Sequence, residues 1–470
     1  MTSIHRGQIF HVAGSPAVTD AVAALEYIED GALVVDGNGV IAWLGEYPDV
    51  PDHLHPDQSD AVSLHDHRPG FVLPGFVDTH LHFPQTYAGD CYGGGQLLEW
   101  LERCIFPSEA RYADETFAVA AAEEFTERRL RAGTTAAMVF GSAFPVAQDA
   151  LFTATLDRGL RIVSGRGIQT CGPPAAEPLI TGEDDAITMS AAEVQRWHGA
   201  DTGDVTTALV QVALVPRFSL SVTPRTLASL GELYDELRPA GVYVHTHLNE
   251  NNRPGTGEMD ATKAAYGVES YLDTYDGLFL PGGRRGGSSL LGRRTIMAHA
   301  VHCLDRELSR MAETETSIAH CPVSQLFLGS GTMPWLRTIR SGVNVALGTD
   351  HGAGDEWSIA RVVNDSYKVH ISEPDHSGVA LHPAVLLFTA TLAGARALDQ
   401  ETRFGNFDVG KEADFLVIDP ERWPPLYNAI NRAVRSDDPQ MARDQILFAV
   451  LMQLRESAIA EVHVRGHRVG

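Results

Sequence analysis

The sequence predicts a distorted (β/α)8 TIM barrel with a small β-sandwich domain built from both chain ends. Three observations carry that expectation. Apolar runs of strand length occur at residues 71–82, 134–140, 161–168, 208–218, 242–248, 295–299, 317–321 and 344–348. Helical stretches separate them, and strand–helix alternation of this kind gives a parallel sheet, which eight units can close into a barrel. Strand-like segments then recur outside this region, before residue 71 and after residue 405. The chain therefore divides into residues 1–72 and 405–470, the two parts of the small domain, around a barrel at 73–404.

Within residues 1–70 the clearest element is a hairpin. Ala32-Leu33-Val34-Val35 and Val40-Ile41-Ala42-Trp43 flank Asp36-Gly37-Asn38-Gly39, and apolar runs around such a turn are a strong hairpin pattern. Residues 48–56 read as a polar loop. A helix is expected over 108–132, with Gly133 as the residue that ends it. Residues 172–186 and 281–289 read as Pro/Gly-rich loops. Beyond the barrel, strands at 414–418 and 460–464 flank a helix at 441–455 and are expected to pair with the N-terminal hairpin.

Composition narrows the function classes. The 470 residues are 44% apolar and 21% charged, with a formal net charge of -25. That balance repels nucleic-acid backbones and anionic lipid surfaces. The apolar run at 446–452 is too short to cross a bilayer, and the first residues show no apolar leader core. Five scattered cysteines, Cys91, Cys104, Cys171, Cys303 and Cys321, argue for free thiols in a reducing compartment. A cytoplasmic protein without nucleic-acid or membrane partners is expected.

Chemistry concentrates at the strand ends. His80 and His82 share one face of the first barrel strand, about 6 to 7 Å apart. The fifth strand ends in His245-Thr246-His247, with Glu250 just beyond; the sixth ends in His299 and the eighth in Thr349-Asp350. Catalytic groups of such barrels come from these ends. Imidazoles and a carboxylate can hold a divalent ion with one position open to water, whose pKa the ion lowers toward ~7.

The stretches PGFVDTHLHFPQ (74–85), QLLEWL (96–101), PRFSLS (216–221), HTHLNEN (245–251), MAHAVH (297–302), AHCPVSQLFLGSG (319–331), GTDHGAG (348–354) and GKEADFLVID (410–419) resemble the amidohydrolase superfamily, and within it the branch of guanine deaminases. His-x-His with Gly-Thr-Asp marks only the superfamily, whereas FPQ, PRF and HxxEN together mark the purine branch. The resemblance implies zinc-dependent hydrolysis of guanine to xanthine and ammonia, in purine catabolism or salvage, by a homodimer with one Zn2+ per chain. It implies His80, His82, His247 and Asp350 as metal ligands. Glu250, His299 and Asp350 would be catalytic, and Gln85, Arg217 and Phe218 would contact the base beside His247 and Glu250. His245 is expected to support a ligand rather than be one; His302 and His320 are expected to be structural.

Two positions depart from the family pattern: Gln325 replaces an Asn, and His351 follows the metal aspartate where a smaller side chain is commoner. Both bear on the shape of the pocket. The competing readings are a superfamily deaminase of a modified purine, a pterin or an s-triazine, and a non-enzymatic barrel serving as a scaffold. A scaffold would be expected to lose metal ligands, and all four are present. The His-x-Glu and Pro-Cys-x-x-Cys signature of the smaller zinc deaminases is absent.

Overall fold

Two sheets organise the computed structural model, which describes residues 2–54, 62–89, 91–92, 95–277, 288–373 and 378–470. The first is built from β1 (Thr2–Val12), β2 (Leu25–Val35), β3 (Ile41–Glu46) and β4 (Val62–Pro74), joined by β14 (Phe415–Ile418), β15 (Ile459–Val464) and β16 (His467–Arg468) from the far end of the chain. Its order is β16-β15-β14-β4-β1-β2-β3. Ile9, Leu33, Val35, Val72, Phe407, Phe415 and Val417 bury one shared core, so both chain ends contribute to the small domain. The expected turn between β2 and β3 forms, with Asp36 Oδ1 accepting from the backbone N–H groups of Asn38 at 2.8 Å and Val40 at 2.9 Å.

The second sheet is the barrel. Its path runs through β5 (Phe76–His82), β6 (Thr134–Phe140), β7 (Arg161–Gly165), β9 (Val210–Pro216), β10 (Tyr243–Leu248), β11 (Thr295–His299), β12 (Ser317–His320) and β13 (Val345–Leu347), while the short β8 (Gly167–Ile168) pairs with β9. Every residue of β5, β6 and β9 is buried. Parallel strands covered on both faces read as largely apolar runs, as Val210–Pro216 does, while β5 and β10 carry the histidines among their apolar residues. The ring is drawn shut by backbone and side chain together: Asp350 N donates to His80 O at 2.8 Å, and Thr79 Oγ1 donates to Leu347 O at 2.8 Å.

Four local expectations need correction. The apolar run 71–82 is two strands, because Phe71–Pro74 pairs in the small sheet with β14 and β5 begins at Phe76. Gly75 lies between them, where a Cβ would fall 2.1 Å from Thr135 Oγ1. The helix expected from 108 begins at Glu115, where Asp114 caps it by accepting from Phe117 N at 2.9 Å; it runs to Arg131, and Gly133 follows with φ +85 as expected. Residues 183–186, the end of the expected 172–186 loop, belong instead to the helix Glu183–Trp197. β14 pairs with β4 rather than with the hairpin, although Ala413 N donates to Gly39 O at its turn. Residues 55–56 and 281–287 of the two expected loops lie outside the described residues.

The cysteine expectation also changes. Cys91 and Cys104 are joined by a disulfide, while Cys171, Cys303 and Cys321 are free. A scattered count could not show that the turn after β5 brings these two Cα atoms to 6.0 Å. The thiol argument for a reducing compartment lapses with it. Among the described residues, no helix is long and apolar enough to cross a membrane.

Beneath the barrel mouth lies an ion pair with no exposure at all. Arg129 Nη1 donates to Asp78 Oδ2 at 2.9 Å. Asp78 also accepts from Thr349 N at 3.0 Å and Thr349 Oγ1 at 2.6 Å, and Arg129 Nη2 donates to Trp357 O at 2.5 Å. Removing one partner of a buried pair leaves an uncompensated charge, at a cost of about 3–5 kcal/mol. Arg129→Met is therefore expected to lose stability on that scale in urea denaturation; a midpoint equal to that of the parent protein would show that the pair does not hold the barrel together.

Candidate active site

The residues expected at one mouth are brought to one mouth. His80 Nε2 lies 3.1 Å and His82 Nε2 3.4 Å from Asp350 Oδ1, and His247 Nε2 lies 3.3 Å from His82 Nε2. His299 Nε2 is 3.4 Å from Glu250 Oε2 and 3.8 Å from Asp350 Oδ2. The backbone is bent to achieve this. Asn249, His299, Ala300 and Asp350 all have positive φ, four of the seven such non-glycine residues among those described. Non-glycine residues in this region carry strain that persists where the surroundings over-determine it.

Hydrogen bonds to backbone carbonyls decide which imidazole nitrogen faces inward. His247 Nδ1 lies 2.6 Å from Arg217 O, and a carbonyl only accepts, so Nδ1 carries the proton and Nε2 turns a lone pair to the centre. The same logic runs through two rings on the other side. His245 Nδ1 donates to Ile296 O at 2.9 Å; its Nε2 then accepts from His80 Nδ1 at 2.8 Å, leaving His80 Nε2 bare. That atom is buried with no hydrogen-bond partner. His245 thus orients His80, the supporting role expected for it. Three borderline nitrogen donors and a carboxylate oxygen converging on one point, one of them orphaned, fit a divalent cation of the zinc type.

The two carboxylates beside this cluster are pushed in opposite directions. Burial alone would raise Asp350, but His80, His82 and His299 outweigh it and hold the carboxyl well below its usual range. Glu250 is driven well above its usual range by burial, with Glu258 and Asp350 adding to the effect. Glu258 is itself raised by burial to about 8, and its Oε1 accepts from Glu250 N at 3.1 Å. Burial likewise lowers His82 to about 4 and His299 to about 3, so both rings are neutral. One carboxylate charged and one protonated in a single pocket is an arrangement suited to acid–base work.

The pocket above is lined by His82, Gln85, Trp100, Arg217, Phe218 and Leu328, with Glu250, His299 and Asp350 at its base. Gln85, Arg217 and Phe218 are all buried there. Gln85 and Arg217 are linked by a residue that sequence reasoning missed: Glu109 accepts from Gln85 Nε2 at 2.8 Å and from Arg217 Nη1 at 2.5 Å. Nothing in the sequence around Glu109 marks it, since it is one acidic residue on the short helix Phe106–Ala110. Glu109 accepts from the Gln85 amide nitrogen, leaving Oε1 as a buried acceptor without a partner. Gly352 makes room for it, with φ +121 and a position where a Cβ would meet Gln85 Oε1 at 2.0 Å.

The remaining singled-out residues lie outside this lining. His351 packs on the Trp357 ring at 3.7 Å, with Nε2 3.3 Å from Thr86 O. Gln325 Nε2 lies 3.5 Å from His320 Nδ1, and His320 Nε2 lies 3.0 Å from His370 Nε2. His302 donates to Ser330 O at 2.6 Å. The two departures from the family pattern therefore act behind the wall of the pocket rather than in it.

Known proteins place this geometry. Residues 71–449 match the model of the amidohydrolase family. A protein of Deinococcus radiodurans named probable guanine deaminase is 38% identical over 92% of this chain and 91% of its own. The guanine deaminase of Escherichia coli is 34% identical, over 86% of this chain and 84% of its own. The crystal structure of guanine deaminase from Bradyrhizobium japonicum superposes with a TM-score of 0.85 at 29% identity, covering 99% of this chain and 98% of that one. A family match spanning the whole barrel, with the metal-ready mouth that such a barrel requires, means that this chain belongs to the amidohydrolase family.

Proposed function

We propose that this hydrolase deaminates guanine, converting it with water to xanthine and ammonia. The observation that carries the reading is the Gln85–Glu109–Arg217 chain beside Phe218, set directly above the His, Asp and Glu cluster. Relatives named guanine deaminase support it. Arg217 has donors left after binding Glu109, and Gln85 offers an acceptor. A 6-oxo purine presents the complementary set, a carbonyl acceptor and ring N–H donors, to these two side chains.

His80, His82, His247 and Asp350 would hold one Zn2+, which when bound makes water nucleophilic near neutral pH. The chain's own groups then supply the proton traffic. Glu250, held protonated, donates to the ring nitrogen beside C2 and so makes that carbon electrophilic. Asp350, held ionised, takes one proton from the attacking water and passes it to the leaving amine, which departs as ammonia, while the remaining hydroxyl proton returns to Glu250 as the C2 carbonyl forms. His299, neutral and within reach of both carboxylates, orients the water. As the resemblance implies, the enzyme works as a homodimer; its proposed location, the cytoplasm, rests on that same resemblance and not on its thiols. Sedimentation velocity checks the first point by the presence of a species of twice the chain mass.

Ammonia release over guanine, 8-oxoguanine, adenine, cytosine, pterins and s-triazines tests the reading as a whole. Adenine sets a donor where guanine has its carbonyl, and sites built to bond one group reject analogues lacking it by as much as ~10⁴–10⁵. Guanine is therefore expected to exceed adenine in kcat/KM by several orders of magnitude; equal values would overturn this account of the pocket.

Two variants address single roles. Glu250→Gln keeps shape and removes the acid, so kcat should fall by about 10²–10⁴ with metal content unchanged. Near-normal turnover would remove Glu250 from the chemistry. Glu109→Gln weakens charge-assisted bonds worth about 1.5–3 kcal/mol. It is expected to lower kcat/KM for guanine roughly 10- to 100-fold while leaving metal content near that of the parent.

A further inference from the structure

A second cluster of metal-ligating side chains lies in the small domain, on elements that take no part in the barrel mouth. His5 is on β1, His65 and His67 on β4, and Glu461 and His463 on β15. Alternate residues of a strand share a face, so these pairs present themselves together. The ladder between β1 and β4 pairs Arg6 with Asp66 and then resumes at Gln8 with Phe71. Residues 67–70 therefore bulge out opposite Gly7 alone. Bulges re-aim side chains, and this one turns His67 onto His5, with Nε2 of His67 3.0 Å from Nδ1 of His5. One ligand atom each from His5, His67 and Glu461 lies within 4.8 Å of the others.

The surroundings fit ligands held in place. The His5 ring is buried, stacked beside His65 at 4.9 Å and met edge-on by Phe415 at 4.7 Å and His463 at 5.1 Å. Burial, with His463, His67 and His65 nearby, pushes His5 far down and keeps it neutral, as a ligand must be. Glu461 is fixed from two sides, 2.9 Å from His463 Nε2 and accepting from Arg468 Nη1 at 3.1 Å. His67 and Glu461 are half-buried, which leaves the cluster open to solvent. Tetrahedral ligation at 2.0–2.1 Å sets neighbouring nitrogens about 3.3 Å apart, the separation found between His82 and His247 at the barrel mouth and close to that between His5 and His67.

We propose that His5, His67 and Glu461 form a second cation site, for a first-row transition ion of the Zn2+ class, placed in the small domain and separate from the catalytic mouth. Imidazole with carboxylate suits such ions over Mg2+ or Ca2+. The test measures zinc per chain after equilibrium dialysis of the full-length protein against Zn2+. The parent protein is expected to bind one equivalent more than His67→Gln/Glu461→Gln, with kcat/KM for deamination unchanged. His247→Ala should lose the barrel equivalent and keep this one. The single variant His67→Gln should weaken the second site at least about 10-fold. Co2+ bound to His247→Ala gives an independent readout, a visible absorption band that the additional pair of substitutions abolishes. Equal zinc uptake by the parent and His67→Gln/Glu461→Gln, or no zinc on His247→Ala, overturns the proposal.

Discussion

Everything at the mouth of the barrel depends on how its first and last strands are tied. A parallel barrel closes only if its first and last strands meet in register, and here that seam also carries His80, His82 and Asp350, which meet at the mouth. Asp78 sits below it, accepting from the backbone and hydroxyl of Thr349 while Arg129 compensates its charge. A dry carboxylate in that position is tolerable only with its partners, which makes the seam a two-way constraint: the closed barrel shields the pair, and the pair fixes Thr349 and thereby Asp350. The strained φ values at His299 and Asp350 are carried by this over-determined surround.

Above the seam, chemistry is set by protons whose positions are dictated by neighbours that cannot donate. Arg217 O and Ile296 O each accept a hydrogen bond from an imidazole N–H and so leave an inward lone pair, directly in His247 and through His245 in His80. One backbone carbonyl thus links the histidine cluster to the pocket wall, because the residue that fixes His247 is Arg217, whose side chain lines the pocket. Asp350 among imidazoles and Glu250 beside Glu258 then diverge in proton affinity within a single cavity. Burial drives both carboxyls upward; the imidazoles around Asp350 oppose it, whereas Glu258 and Asp350 reinforce it at Glu250.

Much of this was legible in the chain itself. The barrel strands stood out because strands buried on both faces are largely apolar, and the histidine pairs stood out because i, i+2 spacing at strand ends needs no tertiary knowledge. Gly133 announced the end of its helix because only its backbone accepts φ +85 without strain. The break at Gly75 was not legible: Phe71–Pro74 runs on into Phe76–His82 with one intervening glycine, and only pairing partners separate them. The Cys91–Cys104 pairing was hidden for the same reason, since composition counts thiols and cannot see the turn that joins them.

The sequence by itself determined the strand–helix alternation, the identity of the metal-ready side chains and the family pattern, all of them properties of short stretches whose periodicity or spacing is local. Tertiary structure alone decided which atoms of those side chains face inward, and it revealed Glu109 between Gln85 and Arg217 and the meeting of His5, His67 and Glu461. These are contacts across 24, 108 and 62 positions or more, made by single polar residues that look like any other surface charge in the sequence. Periodicity reports burial, but the partner of a buried polar atom is chosen by the folded chain as a whole.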